Sequence, residues 1–212
     1  MGRGSSKTGG GASGGLDAAN IMGTTSLVSQ REGKEKEVDD VLSVARDIQD
    51  RYNVNVSDLE VATIRGRQGN SVMAYYDAKG NLAINKNYFN STKMDDAYDA
   101  CVKSGWHPGR GNKTGLEATT AHEMGHRLTH IAGERSGRSG WNLDATGASI
   151  VQEAGRRMGK SVSDVRNAIS GYGKSSNAEA VAEAFSDWYC NGNKASRASR
   201  TVVTVLNEML GR

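Results

Sequence analysis

The stretch Ala121-His122-Glu123-Met124-Gly125-His126 decides the fold and the chemistry expected of this chain. It contains the pattern H-E-x-x-H, and it lies in a run whose apolar residues recur at helical spacing. On a helix, residues four apart lie one turn above each other on one face. His122 and His126 can therefore offer two imidazoles to one metal ion, and Glu123 can reach a water molecule at that ion.

A catalytic zinc site needs a third protein ligand and keeps a fourth position for water. His130 continues the same helix face, but it lies about 12 Å from His122 along the axis at ~1.5 Å per residue. We therefore assign His130 to packing or hydrogen bonding. The better candidates are the carboxylates of Glu179 and Glu183, which share one face of a later helix and are separated by small alanines. His107 lies in a glycine-rich loop, where a histidine is usually solvated, although it could line a cleft. Trp106 and Trp141 also lie in loop-like contexts and could rim the same cleft.

The patterns outside these motifs outline an α+β domain. An amphipathic helix begins at Glu35, and the order helix, small sheet, then several helices is typical of the α+β class. Residues 1 to 30 are rich in Gly and Ser, so we expect a flexible tail there and a single domain over residues 31–212. Short β-like runs are predicted at 61–64, 71–76 and 82–84, and further helices near 94–103, 115–132, 145–158, 162–170, 177–190 and 195–210.

Composition narrows the classes of partner. The chain has 212 residues, with 27 Lys and Arg against 24 Asp and Glu, and thus a formal net charge of +3. No window approaches the ~18 apolar residues of a membrane span, and no secretory signal is apparent, so we expect no membrane contact. The basic residues of the C-terminal half are scattered without a nucleic-acid motif, so we do not expect nucleic acid as a partner. Cys101 and Cys190 are most simply buried thiols, with a disulfide between them left open.

Together the motifs resemble those of the gluzincin metallopeptidases of the anthrax lethal-factor type, a group that includes the Pro-Pro endopeptidases. The family pattern is H-E-x-G-H, then a Tyr, then E-x-x-A-E-x-F, and it is matched here by residues 122–126, Tyr172 and residues 179–185. The resemblance implies a zincin-like fold and zinc-dependent cleavage of peptide or protein substrates.

The same resemblance implies a role for each matched residue. His122, His126 and Glu179 would bind zinc, and Glu123 would act as general base. Tyr172 would hydrogen-bond the substrate oxygen in the transition state, and Glu183 would orient a ligand from behind. A substrate backbone would pair with an edge strand, for which the candidate is the strand around Leu82 to Asn87.

A competing alignment uses the thermolysin-like pattern E-x-x-S-D, which is matched by residues 183–187. In that alignment Glu183 is the zinc ligand and Asp187 lies behind a histidine. We prefer Glu179 because the spacing of Tyr172 and the run Ala182-Glu183-Ala184-Phe185 also fit the lethal-factor pattern.

A broader resemblance concerns phage proteins. Residues 75–85 and 111–126 are similar to zincin domains of phage and prophage minor head proteins (minor capsid proteins) of Gram-positive bacteria. This implies a location in the bacterial cytoplasm or a phage particle, with phage virion proteins as partners. The alternative function is then a virion-associated structural zincin that binds zinc without physiological turnover. Glu123 and Tyr172 favour the endopeptidase, because a purely structural site needs neither.

Overall fold

A computed structural model describes residues 16–138 and 142–212 of the chain. It has the α+β architecture that the sequence predicts, and every predicted helix is present with ends displaced by only a few residues. Within these two ranges the strands are β1 (Ile21–Ser26), β2 (Leu59–Ile64), β3 (Ala74–Tyr76) and β4 (Leu82–Asn85). The helices are α1 (Glu35–Tyr52), α2 (Ser91–Lys103), α3 (Gly115–Arg135), α4 (Leu143–Met158), α5 (Val162–Ile169), α6 (Asn177–Asn191) and α7 (Arg197–Met209).

The four strands form one small mixed sheet in the order β1-β2-β4-β3. β2 pairs antiparallel with β1 and parallel with β4, and β3 and β4 form the predicted antiparallel hairpin. The prediction that the strand around Leu82 to Asn87 is an edge strand is wrong, because β4 lies inside the sheet and a 3-10 turn follows it. All four residues of β4 are buried, and its apolar run Leu82-Ala83-Ile84 is typical of a strand covered on both faces. Of the two strands of the hairpin, β3 is the one at the edge of the sheet.

Part of the segment predicted as a flexible tail, residues 1 to 30, forms a strand of the sheet. β1 pairs with β2 from Ile21 opposite Ile64 to Ser26 opposite Glu60, and Leu27 is fully buried in the core. The side chains of β1 are mostly exposed, so backbone hydrogen bonds hold this strand and the hydrophobic pattern does not reveal it. Residues 1–15 of the predicted tail lie outside the described residues.

The buried helix α3 carries the H-E-x-x-H motif and packs closely on α6. It begins with a capping box, in which Thr114 and Glu117 each accept a hydrogen bond from the backbone N–H of the other. At Gly125 a Cβ atom would lie only 2.9 Å from Cα of Ala182 on α6. The absence of side-chain bulk at these two positions thus sets the short distance between the helices. Among the described helices, none has the length and apolarity to cross a membrane.

Candidate metal centre

The two motif histidines face the start of α6. Nε2 of His122 lies 3.1 Å, and Nε2 of His126 lies 3.3 Å, from the same oxygen, Oε2 of Glu179. Glu179 lies in the first turn of α6, where the Ser176 hydroxyl caps the helix by accepting a hydrogen bond from the Glu179 backbone N–H. Two helices therefore bring two imidazole nitrogens and one carboxylate oxygen to one point.

The surroundings of His126 indicate what this point can hold. His126 is only 1% exposed; within the described part of the chain its Nδ1 makes no hydrogen bond, and its Nε2 has only the 3.3 Å contact with Glu179, which lacks good hydrogen-bond geometry. Burying polar nitrogens without hydrogen bonds is costly, and a ligand at Nε2 would offset that cost. His122, Glu123 and His126 form a buried group, with donor atoms within 4.8 Å of one another, that could hold a metal ion. Imidazole and carboxylate are donors that suit Zn²⁺.

A second carboxylate orients His122 from its other side. Oε1 of Glu183 lies 2.8 Å from Nδ1 of His122, and Oε2 accepts a hydrogen bond from the Ser170 hydroxyl at 2.7 Å. A carboxylate at Nδ1 favours the tautomer with the proton on Nδ1, which leaves the Nε2 lone pair available for a metal. Of the two carboxylates, Glu179 therefore faces the Nε2 atoms of both histidines, whereas Glu183 faces Nδ1 of His122.

Asp187 does not lie where the thermolysin-like alignment predicts. Its carboxylate accepts hydrogen bonds from Nδ2 of Asn191 at 2.9 Å and from the backbone N–H of Ser196 at 3.0 Å. Asp187 is one turn beyond Glu183 on α6, level with the connection to α7 rather than with the histidines. Its observed role is to hold that connection, so the prediction that it supports a metal ligand is corrected.

The carboxylates and imidazoles of the site shift one another's pKa values. Burial raises the pKa of Glu179, but His126 and the hydrogen bond with His122 outweigh burial and hold that pKa well below its usual range. Burial also raises the pKa of Glu183, which the charge of His107 and the hydrogen bonds with His107 and His122 lower to about 2. Burial lowers the pKa of His122, yet its hydrogen bonds with Glu179 and Glu183 raise it well above 6.5. A metal bound at Nε2 must therefore displace a proton from His122.

The candidate centre opens into a cleft of about 270 Å³. Its lining includes the segment 71–74, which leads into the edge strand β3, and Tyr98 and Cys101 of α2. His122, Glu123 and Tyr172 also line this cleft. The predicted general base and the predicted oxyanion donor thus share one cavity with a predicted metal ligand.

Tyr172 lies in a 3-10 turn before α6, with its ring stacked on His122 at 5.7 Å between centroids. Burial raises the pKa of its hydroxyl far above 10. The charges of Glu179 and Glu123 raise this pKa further, and so does a hydrogen bond between the hydroxyl and Glu179. The hydroxyl therefore stays protonated at neutral pH, and it lies beside the carboxylate at which the two imidazoles converge. A protonated phenol in this place can donate a hydrogen bond to a substrate oxygen.

Two loop residues that could line a cleft, His107 and Trp106, do so, whereas Ser170 had no signal in the sequence. Nδ1 of His107 contacts both oxygens of Glu183, at 3.0 and 3.1 Å, so His107 is not a simply solvated loop residue. Trp106 stacks on Tyr172 at 5.4 Å and is 46% exposed at the cleft. Ser170 supports Glu183. Loops carry these three residues, and a loop has no periodicity from which a position in space can be predicted.

The remaining expectations concern His130, the two cysteines and Trp141. The assignment of His130 is confirmed, because its Nδ1 lies 3.0 Å from the hydroxyl of Tyr76. Cys101 and Cys190 are free thiols, so the disulfide left open by the sequence is not formed, and both are half-buried rather than fully buried as predicted. Trp141, another tryptophan in a loop-like context, lies outside the described residues.

Comparison of the chain with protein-family models, with curated proteins and with solved structures gave no match.

Proposed function

We propose that this chain is a zinc-dependent endopeptidase with a zincin-like fold. One observation carries the proposal: Nε2 of His122 and Nε2 of His126 lie 3.1 and 3.3 Å from a single carboxylate oxygen of Glu179. Two imidazoles and one carboxylate are a ligand set of catalytic zinc sites, which keep a further position for water. The neighbouring cleft adds the acid Glu123 and the phenol Tyr172, which a purely structural metal site does not require.

The side chains of the cleft have distinct roles in the proposed reaction. Zinc, when bound, supplies the Lewis acidity that polarises a carbonyl group and lowers the pKa of water. Glu123 takes a proton from the attacking water and later passes it to the leaving amine, as a general base and then a general acid. Tyr172 keeps its proton and donates a hydrogen bond to the oxygen on which negative charge develops.

The lining of the cleft favours an extended peptide as substrate. Residues 71–74 line it and lead directly into the edge strand β3, beside which an extended backbone can lie. Apart from the histidines and glutamates of the centre, the lining is uncharged and mostly apolar, with Val72, Met73 and Tyr98 among its residues. We therefore propose peptides with an uncharged side chain next to the scissile bond, because burying an unpaired charge there would be costly.

Comparing the wild type with Glu123→Gln tests the proposal. Both proteins are analysed for bound metal and screened against a peptide library that is read by mass spectrometry. We expect one zinc ion in each protein, cleavage by the wild type, and a loss of at least about 10²-fold in the variant, since a general base contributes 10²–10⁴-fold.

Glu117→Gln is the matched control, because Glu117 lies on α3 and takes part in the capping box at its start. This variant should cleave like the wild type. Equal turnover by Glu123→Gln would refute the mechanism. Bound zinc without cleavage of any library peptide by the wild type would favour a structural zincin.

A further inference from the structure

Glu183 holds together side chains from three different parts of the chain. It is only 1% exposed, and its two oxygens contact Nδ1 of His122, the hydroxyl of Ser170 and Nδ1 of His107. His122 comes from α3, whereas Ser170 and His107 come from the connections before α6 and before α3. Such a set of contacts fixes the orientation of a carboxylate as well as its position.

The contact with His107 differs from the other two. Nδ1 of His107 lies 3.0 Å from Oε1 and 3.1 Å from Oε2 of Glu183, so it faces both oxygens. The terminal torsion of a glutamate has broad preferences, and the side chain alone does not fix the carboxylate plane. A donor placed between the two oxygens restricts that rotation and keeps Oε1 directed at His122.

His107 is itself held firmly. Its ring stacks on Tyr98 with 5.1 Å between centroids and 13° between planes, and it meets Tyr172 edge to face at 5.6 Å. Two backbone hydrogen bonds tie the loop to the turn before α6: Gly171 N–H donates to the Gly105 carbonyl at 2.8 Å, and Tyr172 N–H donates to the Trp106 carbonyl at 2.9 Å. The loop that carries His107 is thus joined to the turn that carries Tyr172.

We propose that His107 is a positioning residue for the metal ligand His122 and that it acts through Glu183. This inference rests on the metal centre of the proposed function, but it does not require that the chain cleave peptides. His107 restricts the Glu183 carboxylate, and Glu183 in turn fixes the ring and the tautomer of His122. Groups that support a metal ligand in this way typically contribute 10- to 100-fold in metal affinity.

Two substitutions separate the hydrogen bond of His107 from its packing. His107→Phe keeps an aromatic ring against Tyr98 but removes both nitrogens. His107→Asn loses the ring but keeps an N–H donor close to the position of Nδ1. We expect His107→Phe to weaken the binding of Zn²⁺ and Co²⁺ by about tenfold, the lower end of that range, and His107→Asn to stay within about threefold of the wild type.

The dissociation constants are measured by competition with a chromophoric chelator, and the visible spectrum of the Co²⁺ protein reports the ligand geometry. His130→Phe is the matched control, because His130 lies on α3 and hydrogen-bonds to Tyr76 away from the centre. This control should leave the affinity unchanged. Thermal unfolding of each metal-free protein shows whether the variant is folded.

A double-mutant cycle decides whether His107 acts through Glu183. In the Glu183→Ala background, His107→Phe should cause no further loss of metal affinity, because the carboxylate that it positions is gone. A further tenfold loss in that background would overturn the proposal. It would also be overturned if His107→Phe bound metal like the wild type, or if His107→Asn lost as much affinity as His107→Phe.

The test also distinguishes this inference from the proposed function. A wild type that binds neither Zn²⁺ nor Co²⁺ would overturn the metal centre and this inference together. A wild type that binds metal but cleaves no peptide would remove the endopeptidase alone, and the metal affinities would still decide the role of His107.

Discussion

Gly125→Ala tests whether the close packing of α3 on α6 builds the candidate metal centre. The new Cβ atom would lie 2.9 Å from Cα of Ala182, 3.2 Å from Cβ of Phe185 and 3.3 Å from the carbonyl oxygen of Ala182. Backbone atoms of α6 cannot rotate out of the way as a flexible side chain can. Ordinary contact begins near 3.4 Å, so the helices must separate locally by about 0.5 Å.

Two opposing effects determine the stability of this variant. Alanine is favoured over glycine inside a helix by about 1 kcal/mol. Overpacking a dense core costs about 1–3 kcal/mol. We therefore expect the free energy of unfolding of the metal-free protein to fall by up to about 2 kcal/mol.

The same displacement should weaken metal binding. His126 is the next residue on α3, and Glu179 lies one turn before Ala182 on α6, so separating the helices moves a histidine ligand away from the carboxylate. Metal sites tolerate only about 0.2 Å of change in ligand distances. We expect the Zn²⁺ dissociation constant to rise by about tenfold or more.

The assay combines denaturant unfolding of the metal-free protein with chelator competition for Zn²⁺. Gly133→Ala is a matched control, because its Cβ would lie 2.6 Å from Oγ1 of Thr146 on α4, about two turns beyond His126. It should perturb the packing of α3 without changing metal affinity. Unchanged metal affinity in Gly125→Ala, with stability equal to or above that of the wild type, would refute this reasoning.

Three further predictions concern single side chains. Glu179→Ala should remove most of the bound zinc, whereas Glu183→Ala should lower metal affinity by 10- to 100-fold. Both effects are measured by metal analysis with chelator competition, and a larger loss in Glu183→Ala than in Glu179→Ala would contradict the prediction. Burial lowers the pKa of His107, but the Glu183 carboxylate outweighs burial and raises it from 6.5 to about 9. The stability that this group contributes is present below pH 6.5 and is lost as the pH rises through 9. The free energy of unfolding of the metal-free wild type should therefore fall by up to about 3 kcal/mol over that interval, and that of His107→Phe should fall by less. Equal falls in denaturant titrations of the two proteins would contradict the assignment. Trp106→Ala should raise KM for a cleaved peptide about fivefold, equivalent to about 1 kcal/mol of aromatic contact, without changing zinc affinity; an unchanged KM would exclude Trp106 as a substrate contact.

The helices and the principal site candidates could be predicted from the sequence because they depend on local spacing. The histidines of H-E-x-x-H lie four positions apart, so any helix places them on one face. The alanines around Glu179 and Glu183 indicate a helix that another helix can approach closely. The strands are less predictable, since β1 is held by backbone pairing and most of its side chains are exposed.

Sequence spacing alone determined that two imidazoles and a nearby acid share one helical turn, because a helix relates neighbouring residues by a fixed rotation. Tertiary structure decided the rest. Only the packing of α6 on α3 shows that Glu179 faces Nε2 of both histidines and that Glu183 lies at Nδ1 of His122. The same packing directs the Asp187 carboxylate to Asn191 and Ser196 instead of to a histidine. Likewise, only the folded loops bring His107 to Glu183 and place β4 inside the sheet, because contacts between distant segments depend on the path of the whole chain.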